Sequence, residues 1–226
     1  MRISSAHLCL SLVLLAAVPS ALADTVTWAT WNAPTTPGVV TGTIGSVNVT
    51  YTGEVQFVNA SNVGAYNYFQ PTSTYVGGVV GNASTNGGMI AIDGANGMTD
   101  TFTFSAPVTG LVLSEVSLGQ SGVGTNYTFD SPFSIAACGP NIVYGGGCIT
   151  QSGNTMIGHE GDGTIVFSGG PITSLSFTAA NPEYWNGFTI GLLPQQTAVT
   201  PEPGTLTLLG TGLLGLAGIA RRRFLA

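Results

Sequence analysis

Hydrophobic and polar residues alternate over short runs along most of this chain, a pattern that predicts β-strands with one buried face. Phe102 and Phe104 fall on one face of such a run, and the neighbouring threonines fall on the other. Ile172, Leu175 and Phe177 share a face less strictly. Glycine, proline, asparagine or serine bounds each run, and these residues favour turns. The predicted strands are TVTWATW, SVNVTYT, EVQFVN, TDTFTFS, GLVLSEVSL, GTIVFSG, ITSLSFTA and GFTIGLL.

Many short strands separated by turn residues predict an all-β fold, an antiparallel β-sandwich that is jelly-roll-like. Residues 24–198 are assigned to this single sandwich domain, which is long enough to bury its own core. TFTFSAPVTGLVL, from Thr101, is similar to TIVFSGGPITSLSF, from Thr164. Each segment predicts a strand, a turn marked by proline and a second strand. Two equivalent hairpins would explain the similarity, and so would shared β propensity alone.

Residues 1–23 have the features of a signal peptide. Arg2 supplies a positive charge, residues 8–18 are almost entirely apolar, and Ala21 and Ala23 are the small residues that signal peptidase accepts. We therefore expect signal peptidase to cut before Asp24, so that the mature chain begins with this residue. A buried N-terminal helix or a retained anchor is the alternative.

The C-terminal residues predict a membrane anchor. Residues 205–220 are apolar and would form a helix of about 24 Å, which is slightly short for a hydrocarbon core of about 30 Å. Arg221, Arg222 and Arg223 follow at once, and the positive-inside rule keeps such a cluster in the cytoplasm. We expect a transmembrane helix over residues 205–220, with the sandwich outside the inner membrane.

Pro201, Glu202 and Pro203 stand just before this apolar run, in a segment that the prolines keep extended. The triplet, the glycine-studded run and the Arg221–Arg223 cluster together resemble the tails of PEP-CTERM proteins of Gram-negative bacteria. The resemblance is confined to residues 199–226. It implies an exosortase as partner, an intermediate anchored in the inner membrane, and delivery to the cell surface or the exopolysaccharide matrix.

Charge excludes several functions for the exported part. The chain has four arginines and no lysine, and all four arginines lie outside residues 24–200. A surface without cations cannot neutralise phosphates, so we expect no nucleic-acid partner. Salt bridges to lysine or arginine are equally impossible in this range. We expect its acidic residues to remain solvated and to keep the domain negative.

Cys138 and Cys148 are the two cysteines that remain after the signal peptide is removed. They flank the segment CGPNIVYGGGC, in which glycines and a proline allow the chain to turn back. Exported chains enter an oxidising compartment, so we expect a disulfide between them. A reactive thiol is disfavoured because no cation lies nearby to lower its pKa.

The sequence offers little for catalysis. His159, in GHEGDGT, is the one histidine of the exported part, and neither a nucleophile elbow nor a zinc-binding spacing accompanies it. We therefore expect no enzymatic activity and no obligatory cofactor. A secreted glycoside hydrolase that uses paired carboxylates is an alternative, since such an enzyme needs only two acidic residues at a suitable separation.

Calcium is the most plausible ion. Asp93, Asn96 and Asp100 lie in one glycine-broken loop, and oxygen ligands on flexible loops suit Ca²⁺. Residues 159–162 supply His159, Glu160 and Asp162 as a second oxygen-rich corner. Acidic turn residues often bind only their own backbone, which is the competing explanation.

Carbohydrate is a second candidate ligand, besides calcium. Tyr66 and Tyr68 share a face if AYNYF is extended, and Tyr184 and Trp185 lie beside a turn in NPEYWNG. Exposed aromatic rings of this sort can stack on sugars, although aromatic residues in sandwiches more often pack in the core. The leading hypothesis is an exported structural or adhesive protein, and a lectin-like carbohydrate-binding module is the first alternative.

Overall fold

The computed structural model describes residues 23–61, 66–94, 97–195, 209–216 and 220–221. The fold is all-β, with two antiparallel sheets, as predicted. Each of the eight predicted runs contains a strand. The elements are β1 Thr27–Trp28, β2 Thr30–Trp31, β3 Val39–Ile44, β4 Val47–Thr52, β5 Phe57–Asn59, α1 Thr72–Tyr75, β6 Met89–Ile92, β7 Thr99–Val108, β8 Leu111–Leu118, β9 Thr125–Phe129, β10 Phe133–Cys138, β11 Gly147–Cys148, β12 Thr150–Ser152, β13 Thr155–Gly158, β14 Gly161–Phe167, β15 Ile172–Ala180 and β16 Asn186–Leu192.

The first sheet has the strand order β10-β14-β8-β16-β6-β5, with β1 added beside β16 and β11 beside β14. The second sheet has the order β12-β13-β9-β15-β7-β4-β3-β2. Every pairing is antiparallel except the short one between β11 and β14. The chain changes sheet between β7 and β8, again before β9, and on both sides of β15.

These changes of sheet argue against equivalent hairpins as the explanation of the two similar segments. β7 belongs to the second sheet and β8 to the first, so the proline turn between them is a crossover. β14 and β15 also lie in different sheets, but the chain crosses there in the opposite sense. The two similar segments therefore neither form hairpins nor occupy equivalent places.

The main core lies between the sheets and follows the alternation of the strands. Phe102 and Phe104 are buried, whereas Thr103 between them is exposed, as predicted. Phe102 packs against Tyr51 and Phe188 at ring-centroid separations of 5.2 and 5.7 Å. Each such side chain stabilises the fold by about 1.5 to 3 kcal/mol through burial. Because salt bridges are unavailable, this aromatic core is the main source of stability.

The first sheet is covered on both faces. Leu113 of β8 belongs to the main core, whereas Val116 packs with Phe69, Tyr75 and Met89 in a separate cluster on the opposite face. Every residue of β8 is consequently buried. This covering layer, formed largely by residues 66–83, brings several aromatic side chains to one end of the sandwich.

A disulfide joins Cys138, at the end of β10, to Cys148 in β11, as predicted. Their Cα atoms lie 4.8 Å apart, and the bond closes a loop over a sequence separation of 10 residues. This disulfide loop, residues 138–148, packs beside β14 and the covering layer.

The predicted processing segments lie mostly outside the described residues. This is so for residues 1–22, which include Ala21, for Pro201, Glu202 and Pro203, and for Arg222 and Arg223. Ala23 is exposed, and Asp24 pairs with Val80 in a short parallel bridge. Residues 209–216 and 220–221 are helical. In the part of the chain that the structure describes, no helix has both the length and the apolar character needed to span a membrane.

Candidate functional site

Five aromatic side chains meet on one surface of the domain, next to the covering layer. Neighbouring ring centroids within this group are 5.1 to 6.3 Å apart. We name this group the aromatic platform, and its members are Phe57, Tyr66, Tyr68, Tyr144 and Trp185.

The platform is assembled from four separate parts of the chain. Phe57 lies in β5, Trp185 immediately precedes β16, and Tyr144 lies in the disulfide loop. Tyr66 and Tyr68 come from the segment before α1. The structure therefore brings together Tyr66, Tyr68 and Trp185, three of the aromatic residues predicted to bind carbohydrate, and adds two that sequence reasoning missed.

The platform has an exposed side and a half-buried floor. Tyr66 is 47% exposed, and Tyr184, next to Trp185 in sequence, is 84% exposed. Tyr68, Tyr144 and Trp185 are half-buried. Burial and the neighbouring phenols of Tyr144 and Tyr66 raise the pKa of Tyr68, so its hydroxyl stays neutral.

Asn141 fixes the disulfide loop to the platform. Its side-chain Nδ2 donates to the backbone carbonyl of Tyr68 at 2.7 Å and to the hydroxyl of Tyr75 at 2.8 Å. Its Oδ1 accepts hydrogen bonds from the backbone N–H groups of Val143 and Tyr144, both at 3.0 Å. One buried amide thus positions Tyr144 and Tyr68 together.

Asp162 supports the same loop from below. It is fully buried, and its carboxylate accepts hydrogen bonds from the backbone N–H groups of Ser117 at 2.9 Å and Asn141 at 3.3 Å. The hydroxyl of Tyr75 donates to it at 3.3 Å. Burial raises the pKa of Asp162 to about 7, although these hydrogen bonds act in the opposite direction.

A cleft with polar walls adjoins the platform at Trp185. We name it the polar cleft, and its lining residues are Ser117, Gln120, Ser121, Glu160, Glu183, Tyr184 and Trp185. The cleft therefore combines two aromatic side chains with hydroxyl, amide and carboxylate groups.

The two carboxylates of the polar cleft are partly engaged. Glu160 accepts a hydrogen bond from the Ser117 hydroxyl at 3.0 Å. Glu183 accepts from the backbone N–H of Gly119 at 2.6 Å and from the Asn186 side chain at 2.8 Å. Burial raises the pKa of Glu183 despite these bonds. Since a carboxylate offers about four acceptor positions, both groups retain capacity for further donors.

Buried acids overturn the expectation that the acidic residues remain solvated. Glu115, on β8, is fully buried between the sheets, and among the described residues neither of its carboxyl oxygens has a hydrogen-bond partner. Burial, together with the nearby Glu183 and Asp162, raises its pKa well above the usual range. Burial therefore favours the neutral, protonated form of Glu115.

The predicted calcium residues have different environments. Asp100 is buried, and its Oδ1 accepts hydrogen bonds at 2.7 Å from both the Tyr51 hydroxyl and the Glu54 backbone N–H. Asp93 binds the Glu183 backbone N–H through its carbonyl at 2.8 Å, and Asn96 lies outside the described residues. In the described ranges, no three His, Cys, Asp or Glu side chains are grouped to hold a metal. Calcium binding stays a prediction.

His159 is exposed on the turn between β13 and β14 and contributes nothing to the cleft lining. Glu160 lies on the cleft, whereas Asp162 is buried beneath the disulfide loop, so these three residues do not share one corner. The acids that the structure brings to the cleft are Glu160 and Glu183. Sequence reasoning did not pair them, because 22 intervening residues, including β14 and β15, separate them.

The comparisons with known proteins bear on the tail of the chain. The family model for the PEP-CTERM protein-sorting motif matches residues 199–223. This match confirms the resemblance seen at the Pro-Glu-Pro triplet and the arginine cluster, and it implies a secreted protein that an exosortase processes. No curated protein matches the chain, and no solved structure matches it either.

Proposed function

We propose that this chain, which ends in a PEP-CTERM sorting motif, is a non-catalytic structural or adhesive protein displayed at the cell surface or in the extracellular matrix. The observation that supports this proposal is the matched motif at residues 199–223, directly after a sandwich whose last strand ends at Leu192. Among the described residues, the strands of the sandwich therefore all precede the matched motif. An exosortase can act on the tail without disturbing the folded domain.

The opposite end of the domain agrees with export. Asp24 is the predicted first residue of the mature chain, and its backbone N–H donates to the carbonyl of Val79 at 2.8 Å. Its own carbonyl accepts from Gly81 at 2.8 Å. A cut before Asp24 would therefore leave in place every strand that the structure describes in residues 23–195.

The proposal assigns the inner membrane a transient or lasting role. Residues 205–220 would hold the chain while the arginines remain in the cytoplasm, and exosortase would then act near Glu202. The delivered domain would meet exopolysaccharide and other surface polymers.

Cell fractionation combined with mass spectrometry of the protein's two ends tests this proposal. We expect an N-terminus at Asp24, a C-terminus near residues 201–203, and the mature form in the outer-surface or matrix fraction. A protein that keeps Met1, or that stays full-length in the cytoplasm, would contradict it. Cells that lack exosortase provide the control, because they should accumulate the full-length tail at the inner membrane.

A further inference from the structure

We propose that the aromatic platform and the polar cleft form a single binding site for an uncharged oligosaccharide made of pyranose rings. Trp185 belongs to both surfaces, since it packs on Tyr144 at 5.2 Å and also lines the cleft. Oligosaccharide binding at this site would be a function additional to the proposed display at the cell surface. Its failure would leave the sorting of the chain untouched.

The exposed rings supply the apolar half of the recognition. One face of a pyranose consists of C–H groups, which pack well on aromatic surfaces and leave the hydroxyls at the rim. Tyr66 and Tyr184 are the most exposed aromatic residues of this region, at 47% and 84%. Aromatic contacts of this type contribute on top of the hydrophobic area that they bury.

The polar cleft supplies the hydrogen-bonding half. Sugar hydroxyls donate and accept, and the cleft offers the Gln120 amide, the Ser121 hydroxyl and the carboxylates of Glu160 and Glu183. Few polar groups placed beside an aromatic wall are typical of small-molecule sites. A chain of several sugar units could contact the rings at one end and these groups at the other.

The charged groups of the domain favour an uncharged ligand. Residues 24–200 include no lysine or arginine to pair with a uronate, sulfate or phosphate, and the cleft carboxylates would repel each of these anions. Recognition of a quaternary ammonium ligand by cation–π contacts commonly uses a cage of separated rings around the cation. Here the rings contact one another at centroid separations as short as 5.1 Å, so they form a floor and not a cage.

The site is held in place before a ligand arrives. Asn141 ties Tyr144 to the backbone of Tyr68, and the Ile142 N–H donates to the Gln70 carbonyl at 2.9 Å. Gly119 and Asn186 orient Glu183 through two hydrogen bonds. A site that is ordered in the free protein loses less entropy on binding.

Binding of the purified full-length chain to an oligosaccharide panel tests the proposal. The protein is held in a detergent without a sugar headgroup. The panel contains neutral gluco-, manno-, xylo- and N-acetylglucosamine oligomers, with oligouronates and cationic glucosamine oligomers as charged controls. We expect at least one neutral series to bind and to change the tryptophan fluorescence, with oligouronates inert.

Two substitutions locate the site. Trp185→Ala should weaken binding of the neutral oligomer at least tenfold, and Tyr66→Ala should weaken it several-fold. Trp185→Phe should keep much of the affinity but lose the ligand-dependent fluorescence change, because the other two tryptophans lie outside the platform and the cleft. Trp31 is buried in the main core, and Trp28 packs against the cluster of Val26, Val80 and Val112. Val143→Ala is the matched control, since Val143 is exposed in the same loop next to Tyr144 and lies outside the platform.

Four results would overturn the proposal. One is that no neutral oligomer binds to a chain that melts cooperatively. Another is that Trp185→Ala binds as tightly as the parent. The third is a preference for the cationic oligomers, which would make the carboxylates, and not the rings, the basis of recognition. Release of shorter sugars from the bound oligomer would also refute a pure binding site and favour a hydrolase that uses Glu160 and Glu183.

Discussion

Removing the disulfide should destabilise the domain and yet leave the aromatic platform intact. The perturbation is the double substitution Cys138→Ala and Cys148→Ala. The bond closes a loop over a separation of 10 residues, for which chain entropy predicts a stabilisation of about 2.7 kcal/mol, exerted on the unfolded chain. For a domain of this size, the corresponding loss in Tm is about 5 to 10 °C.

The folded loop should survive this change because it has other attachments. Asn141 binds Tyr68 and Tyr75, and the N–H groups of Gly146 and Gly147 donate to the Glu160 carbonyl at 2.8 and 3.2 Å. Asn141→Ala should, by contrast, reduce the affinity for the oligosaccharide. It removes the bonds that place Tyr144, so oligosaccharide affinity should fall even where the chain remains folded.

Urea unfolding followed by circular dichroism measures the stability, and fluorescence titration with a neutral oligomer measures the platform. The cysteine-free protein should show the lower unfolding midpoint and near-parental affinity, whereas Asn141→Ala should show clearly reduced affinity. A stability loss below 1 kcal/mol in the cysteine-free protein would refute the entropic argument. Equal loss of affinity in both variants would show that the disulfide, and not Asn141, positions Tyr144.

Three further predictions concern pH, packing and the tail. Burial raises the carboxyl pKa of Asp162 from 3.8 to about 7, so the folded chain keeps a proton that the unfolded chain releases. The free energy of unfolding should therefore fall by a few kcal/mol between pH 4 and pH 7, and a urea midpoint that rises over this window would contradict the burial. Gly158→Ala should destabilise the domain by more than 2 kcal/mol because its Cβ would overlap the Leu118 backbone, whereas Gly146→Ala, with open space around it, should change the melting temperature little. Neutral residues at 221–223 should release the protein from the inner membrane, whereas alanine at Pro201 and Glu202 should leave it there full-length; identical fractionation of both variants would refute the sorting argument.

Strand prediction succeeded for strands with one face in water and also for three longer strands that are buried almost throughout, namely β8, β14 and β16. β7 alternates because its phenylalanines are buried whereas Thr99 and Thr103 are exposed, so its sequence indicates its structure. β6, MIAI, is buried on both faces and has no alternation to detect. β9 does alternate, in TNYTF, and could have been found. The partners of each strand are set by contacts between distant residues, which is why the hairpin interpretation of the two similar segments does not hold.

The candidate site was predicted only in part, for the same reason. Tyr66 and Tyr68 stood out because they share one face if AYNYF is extended, and Trp185 because it lies beside a turn. Tyr144 was hidden within the cysteine-flanked segment, although a loop closed by a disulfide is a sound place to look for a fixed side chain. Phe57 was read only as part of a strand. Nothing local distinguishes Glu115, which lies in the strand LVLSEVSL and becomes buried only when the sheets close on it.

The outer strands of the two sheets bear on how such a protein tolerates crowding. Proteins commonly place lysines on edge strands to prevent their joining with neighbours, and this domain has none to place. Three edges are instead only two or three residues long, namely β2, β5 and β12. β10, the longer edge, contains a bulge between Ile135 and Ala137. A densely packed layer of these molecules should therefore resist amyloid-like polymerisation. The protection would come from the short or bulged edge strands of each sheet and not from electrostatic repulsion between lysines.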